Sequence, residues 1–413
     1  MRMSRIFNKI PAFAPDYSGA SSVLHDMGGM IVYCGVGGCC GNYAAFDEPR
    51  MGFAKRIFSL AFRETHIVMG IDNYAKRKIV ESYRRVGGKF VALIGTPTST
   101  IIGTDFKGLG KEIEKEIGVP VIYVETSGIY SYEAGQRKVY EALISYAKDK
   151  VISEPADVHI IGATPLDAWD YGQKDAFMEL LGRCGAVHPV MWGDENTFDD
   201  IGGFSYSKLN IAVSVSAVRV VRELKERYGT PYKIGFPVGE TALARWEREL
   251  RMLLCGNWKD AQSYSYPVVD ASDGAGRLLS DARWDKKRVL IVGEQIASDM
   301  LRNMLREELG CKTVDVMTLF GAEKDLLMGG DYAASVESEF VDQLERREKY
   351  DIVIGDTFLT RAVPYEIQTV NLPSIAISGL VFMRQSPVLY GEKGTLYFRK
   401  IAEELKGGED VCA

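Results

Sequence analysis

Three thiols fall within seven residues of glycine-rich chain, in Cys34-Gly35-Val36-Gly37-Gly38-Cys39-Cys40-Gly41-Asn42-Tyr43. Thiolates hold iron and inorganic sulfide, and glycines let a backbone approach an inorganic group that a side chain would block. Cys34, Cys39 and Cys40 are therefore candidate metal ligands, with Gly38 and Gly41 as candidate cofactor-binding positions. The structural alternative is a buried turn in which cysteine serves as a small apolar residue. Cys184, Cys255, Cys311 and Cys412 are scattered, and an odd total of seven fits reduced thiols better than a disulfide framework.

Other chemistries lack their residues. The nearest approach to a phosphate-binding loop, Gly103 to Gly108, is followed by Leu109 where lysine is needed, so ATP hydrolysis by this chain is not expected. Gly35-x-Gly37 puts Cys40 where a dinucleotide fingerprint needs its third glycine, which argues against bound NAD or FAD. The four histidines, His25, His66, His159 and His188, have no zinc-site spacing. His159 and His188 lie in apolar strand contexts and read as packed or hydrogen-bonded, whereas His25, just before the cysteines, is a candidate for the neighbourhood of a redox or substrate site. No Gly-x-Ser-x-Gly elbow is present. Asp105 reads as the cap of a helix running to about Ile117, and pattern alone does not single out an acid–base carboxylate among 56 acidic residues.

The elements that must position the thiols follow from hydrophobic periodicity. Short Val/Ile-rich runs alternate with longer amphipathic segments, the signature of βαβ units and parallel sheets in an α/β fold. Candidate strands are Phe90–Ile94, Val119–Val124, Val158–Ile161, Val187–Met191, Lys233–Phe236, Val289–Val292, Thr313–Met317, Ile352–Ile354 and Ser374–Ile377. Nine such strands outgrow one sheet, and 413 residues outgrow one core. Three Rossmann-like domains are expected, at 1–152, 153–284 and 285–413, the second boundary marked by the polar, glycine-rich stretch Ser263 to Gly276. Several strands end in glycine, at Gly95, Gly162, Gly235, Gly293 and Gly355, where open α/β sheets bind ligands. A site assembled between domains is the expectation. A net charge of -6 without a long basic run gives no case for nucleic acid. No run of roughly 20 apolar residues suggests a membrane span, and the basic N-terminus lacks a signal peptide's apolar stretch, so the expected location is the cytoplasm.

Several of these stretches, in order, resemble the nitrogenase component 1 family, which includes molybdenum–iron protein subunits, cofactor-assembly scaffolds and dark-operative protochlorophyllide reductase. Asp26-Met27 followed by Gly38-Cys39-Cys40-Gly41-Asn42-Tyr43 resembles the family's turn with a cluster cysteine, Cys40 being best aligned. Ile101-Ile102-Gly103-Thr104-Asp105 is similar to its Ile-Gly-Asp-Asp segment, and Val119 to Val124 to the strand after it. Thr197 to Ile201, Leu209-Asn210-Ile211 and Glu226 to Tyr232 are similar to middle-domain markers. The resemblance implies an oxidoreductase subunit of three Rossmann-like domains. It implies a homodimer, or a heterodimer or heterotetramer with a related component 1-like subunit, with an iron–sulfur cluster, of the 4Fe–4S type, at the subunit interface. It also implies a separate ATP-hydrolysing iron–sulfur reductase protein as electron donor.

Departures from the family pattern matter equally. The chain has Pro11-Ala12-Phe13 and Thr96-Pro97 where members with the larger cluster carry cysteines, so a four-iron cluster would use Cys34 and Cys39 as extra thiols or share ligands between two subunits. Ser214 stands where the thiolate of the nitrogenase metallocofactor would be, and all histidines precede residue 200. The expected substrate is therefore not dinitrogen; a tetrapyrrole or a small sulfur or carbon compound fits better. A metallocofactor scaffold and a cluster-free small-molecule binding protein are the alternatives, and Tyr43, Arg50 and Tyr130 are further candidates for the cluster or substrate region.

Overall fold

The computed structural model describes residues 10–50, 56–148, 150–167, 171–195, 197–256, 284–334, 337–345 and 349–407. The expected linker Ser263 to Gly276, and Cys412, lie outside the described residues. Three parallel sheets organise the chain. The first contains β1 (Met30–Cys34), β2 (Ile57–Ser59), β3 (Val91–Gly95) and β4 (Val121–Val124), in the order β2-β1-β3-β4. The second contains β5 (Val158–Ile161), β6 (Pro189–Met191), β7 (Leu209–Ala212) and β8 (Tyr232–Ile234), in the order β6-β5-β7-β8. The third contains β9 (Arg288–Gly293), β10 (Thr313–Thr318), β11 (Tyr332–Ala333), β12 (Ile352–Gly355) and β13 (Gln368–Asn371), in the order β11-β10-β9-β12-β13.

In each sheet the strand order reverses beside the first strand: at β1/β3, β5/β7 and β9/β12. Connections leave in opposite directions there, and a crevice opens at the strands' carboxyl ends. Register puts Cys34 opposite Gly95, Ile161 opposite Ala212 and Val292 opposite Gly355 at these three points.

Burial on both faces explains the near-continuous apolar runs. In β1 the alternation sends Met30, Val32 and Cys34 into a layer with Ile79, Val80, Leu109 and Ile113, and Ile31 and Tyr33 into a layer with Ala20, Val23, Val139 and Leu143. On that second face the helices Asp16–Leu24 and Tyr132–Ala147 cross in backbone contact. A Cβ on Gly19 would sit 1.9 Å from the Tyr132 carbonyl oxygen, and one on Gly135 1.7 Å from that of Asp16. Asp16 also fastens the loop after β4, accepting from the Ser127 and Gly128 amides at 2.9 and 2.6 Å.

Eight of the nine sequence-marked strands overlap observed ones. The ninth does not: Ser374–Ile377 is replaced by a helical turn, Ile375–Ser378, whose preceding amide, Ser374 N, donates to Asp356 Oδ2 at 2.8 Å. The strand that closes the sheet is Gln368–Asn371, in which only Val370 is buried, so no apolar run announces it. Asp105 caps the helix Phe106–Ile117 as its position suggests, its Oδ1 accepting from the Gly108 amide at 2.9 Å.

Candidate functional site

The cysteine segment occupies the reversal point of the first sheet. β1 ends at Cys34, and Gly35 then passes Thr96 so closely that a Cβ would lie 2.1 Å from its Oγ1, while that hydroxyl donates to the Cys34 carbonyl at 3.0 Å. The expected turn is a short helix, Gly37–Asn42, carrying Cys39 and Cys40. A Cβ added at Gly37, Gly38 or Gly41 would meet nothing within 4 Å, so this backbone stands open.

The structure brings together Cys39 and Cys40 but not Cys34. The period of two along β1 turns the Cys34 thiol into the apolar layer of Met30, Val32, Leu60 and Phe62, where it donates to the Val32 carbonyl at 3.8 Å and burial pushes it up to about 12. Cys39 and Cys40 are half-buried against the opposite layer. Burial raises both thiols, and for Cys39 a hydrogen bond with the Tyr17 hydroxyl opposes that rise. Among the described residues no three His, Cys, Asp or Glu side chains gather at metal-binding distance, and Cys39 and Cys40 stand as two adjacent thiols on the short helix.

A buried polar chain runs inward from this helix. The Tyr43 hydroxyl donates to Glu48 Oε2 at 2.8 Å, so at the His25 contact, also 2.8 Å, it accepts from Nδ1. Arg50 grips Glu48 through Nε and Nη2 at 2.6 Å each and reaches Asp26 Oδ2 at 3.1 Å. Burial raises the Glu48 carboxyl, but the Arg50 guanidinium more than offsets this and holds it below the usual carboxylate range. His25 is held neutral chiefly by burial, against the opposing pull of Glu48. Of the further candidates, Arg50 and Tyr43 belong to this chain and Tyr130 lies half-exposed on the loop after β4.

Arg50 and Asp26 open onto a cavity of about 420 Å³ at the carboxyl ends of the second and third sheets. Gly293 and Gly355, opposite sides of the β9/β12 reversal, line it together with Ala163, which follows Gly162 at the end of β5. Most of the wall is apolar, including Leu166, Met191, Ile291, Leu301, Ile354 and Leu389. Of the other strand-end glycines, Gly95 belongs to the cysteine site and Gly235 packs on Met300.

Three buried carboxyls also line the cavity: Asp167, Glu294 and Asp356. Burial, reinforced by the charge of Glu294, pushes Asp167 up to about 8. Burial pushes Glu294 up to about 7 against the lowering effect of the Ala297 and Val215 amides. Sequence reading missed these acids: Glu294 and Asp356 follow strand-end glycines, which is a usable signal, whereas nothing local marks Asp167. No cysteine or histidine is among the cavity's described lining residues. Ser214 is buried at the start of the helix Val215–Tyr228 with its Oγ 2.8 Å from that of Ser216, and His159 is packed, its Nδ1 accepting from Trp192 Nε1 at 3.1 Å. No described helix is long and apolar enough to cross a membrane.

This geometry has relatives. The chain is 24% identical over 60% of its length to nitrogenase iron-molybdenum cofactor biosynthesis protein NifE of Sinorhizobium fredii, covering 52% of that protein. It is 26% identical over 73% of its length to the nitrogenase molybdenum-iron protein alpha chain of Methanothermobacter thermautotrophicus, covering 66%. A shorter stretch, 26% of the chain, is 30% identical to the light-independent protochlorophyllide reductase subunit N of Synechococcus elongatus, covering 23% of it. The chain thus spans about half to two thirds of the two nitrogenase relatives. The solved structure of nitrogenase Cp1 at pH 6.5 superposes with a TM-score of 0.70 over all of this chain and 96% of that one, at 16% identity, a likeness of fold. The model of the nitrogenase component 1 type oxidoreductases matches residues 15–378, which takes in the cysteine helix, the polar chain and most of the cavity, and the chain belongs to that family.

Proposed function

We propose that this chain is a nitrogenase-like oxidoreductase subunit that passes low-potential electrons, received from an ATP-hydrolysing iron–sulfur reductase, to a substrate other than dinitrogen in the interdomain cavity. The observation that carries the reading is the pair Cys39 and Cys40 on an open, glycine-flanked helix at a sheet reversal, joined by the Tyr43–Glu48–Arg50 chain to a largely apolar cavity. Two thiols per chain fit an iron–sulfur cluster whose remaining ligands come from a second component 1-like chain, identical or related. Such a cluster supplies single electrons at low potential. Cys39 and Cys40 would hold it, and the open glycine amides and the Tyr17 hydroxyl would tune it.

Apolar exposure supports the second chain. Val68, Met69 and Ile101 are 83%, 85% and 84% exposed, and Val36 and Phe46 are exposed beside the thiols; all five follow strands of the first sheet on the side of the cysteine helix. The cavity supports a substrate larger than a diatomic gas, because about 420 Å³ falls within the range of organic-ligand pockets. Its lack of thiol and imidazole among the described lining residues argues against a metallocofactor cradle there, and so against a scaffold role.

Anaerobic reconstitution with iron and sulfide, followed by metal analysis and electron paramagnetic resonance, tests the reading. The expected result is a reducible cluster that is lost in Cys40→Ser. Iron-free protein, or binding unchanged by that substitution, favours a cluster-free binding protein instead.

A further inference from the structure

We propose that the cavity between the second and third sheets takes an apolar organic cation, a protonated amine whose N–H group is received by the Asp26 carboxylate at the rim. The inference rests on that cavity being the substrate site of the reading above, and it adds the charge of the substrate and the group that recognises it.

Charge along the wall is one-sided. Among the described lining residues only Arg50 and Lys174 are cationic, against the five carboxyl groups of Asp26, Asp167, Asp194, Glu294 and Asp356. Both cations already have partners. Lys174 is paired with Asp194. The Arg50 guanidinium holds Glu48 through Nε and Nη2 at 2.6 Å each, gives Nη2 also to the Ser22 carbonyl at 2.7 Å, and reaches Asp26 Oδ2 through Nη1 at 3.1 Å. One guanidinium thus stands between two carboxylates, and the surplus negative charge falls on the looser of them. Glu48 is 4% exposed and Asp26 34%, and of the two only Asp26 lines the cavity. With Oδ2 turned to Arg50, its Oδ1 is the acceptor left for a ligand.

The places where such a fold ordinarily binds an anion are occupied. Anionic groups sit on the amides at helix N-termini, and here carboxyl groups of the chain itself cover them. Glu294 accepts from the Ala297 amide at 2.8 Å, at the start of Gln295–Leu309, and from the Val215 amide at 2.7 Å, at the start of Val215–Tyr228. Asp356 accepts from the Phe358 amide at 2.8 Å, at the start of Thr357–Thr360. The ligand's body is hydrocarbon, to match Leu166, Met191, Ile291, Leu301, Ile354 and Leu389. No aromatic ring is among the described lining residues, so the cation is held by a carboxylate and not by a π face. An apolar body beside the rim excludes water there, which strengthens the charge pair.

Three naphthalenes of similar shape and different charge serve as probes on the iron-free full chain: naphthylmethylamine, a cation near neutral pH, the neutral naphthylmethanol, and the anion naphthylacetate. Calorimetric titration is expected to rank them amine, alcohol, acid, with the amine ahead of the alcohol by roughly tenfold or more, the scale of a close charge pair shielded from bulk water. Asp26→Asn is expected to bring the amine down to the alcohol while the alcohol's affinity holds. Ala297→Trp, which fills the cavity, is expected to abolish binding of the amine and the alcohol. Should Asp26→Asn fail to fold, salt decides on the wild type: the amine's lead must shrink as ionic strength rises from about 0.01 M to 1 M, and an unchanged lead overturns the proposal. An amine that gains nothing over the alcohol, or that keeps its lead in folded Asp26→Asn, overturns the proposal and leaves the cavity as the substrate site. Binding that survives in folded Ala297→Trp, or no binding of any probe to folded wild type, overturns the proposal and that reading of the cavity together. Because the protein is iron-free throughout, this test and the cluster test at Cys40 fail independently.

Discussion

The cysteine helix and the cavity both lie at points where sheet order reverses, yet they treat their reactive groups oppositely. Around Cys39 and Cys40 the chain withholds side chains: Gly37, Gly38 and Gly41 leave empty space, and the thiols are only half covered. Around Asp167 it does the reverse, enclosing a carboxyl in an apolar wall until the neutral form is favoured. The same topology thus yields one place suited to soft ligands completed from outside and another suited to a stored proton. Between them the Tyr43–Glu48–Arg50 chain keeps a charged pair buried and matched.

The largest effect is expected where that pairing is broken. Glu48→Gln removes the more deeply buried of the two carboxylates that pair with the Arg50 guanidinium and leaves it only the partly exposed Asp26, and breaking a buried pair in this way costs about 3–5 kcal/mol. Denaturant midpoints measure it, and a cost below about 1 kcal/mol, the worth of an exposed pair, would remove this chain as the link between the two regions. Next comes Gly135→Ala, whose Cβ would collide with the Asp16 carbonyl and push apart two helices that serve both sites. A loss of about 1–3 kcal/mol or more is expected from such overpacking, in thermal unfolding as well as in denaturant.

The comparison sharpens with pH. Asp167 is raised in the folded protein from 3.8 to about 8, so the folded form binds a proton that the unfolded form releases. The stability it contributes is fully present below pH 3.8 and is lost as pH rises through about 8. Within that window one such proton makes stability fall by up to about 1.4 kcal/mol per pH unit. Asp167→Asn should flatten the measured slope by a comparable amount, and an unchanged slope would show the acid to be ordinary. Smallest is Cys34→Ala, which deletes one buried sulfur for about 1 kcal/mol, the scale of small core truncations, and should leave iron binding intact.

How much of this was legible in the sequence depends on what carries the signal. The parallel α/β sheets announced themselves through apolar runs, because strands buried on both faces have no alternation to hide in. Polar Gln368–Asn371 was passed over, and the short helix Ile375–Ser378 taken for a strand, for the complementary reason: the edge strand has one buried residue, and the helical turn has three. Cys34 is the instructive site residue. Spacing grouped it with Cys39 and Cys40, but Met30-Ile31-Val32-Tyr33-Cys34 is itself a strand, and its period of two turns the thiol away. Reading that run as β1 would have separated the three. Asp167 carried no local mark, since its character arises from Gln136, Thr164 and Glu294, which only folding assembles around it.

Native mass spectrometry of anaerobically reconstituted protein tests the central claim most directly. If Cys39 and Cys40 supply half of a cluster's ligands, the mass of iron and sulfide should appear on two-chain species and be absent from monomers and from Cys39→Ser/Cys40→Ser. A complete cluster on a monomer, or on the double variant, would contradict it.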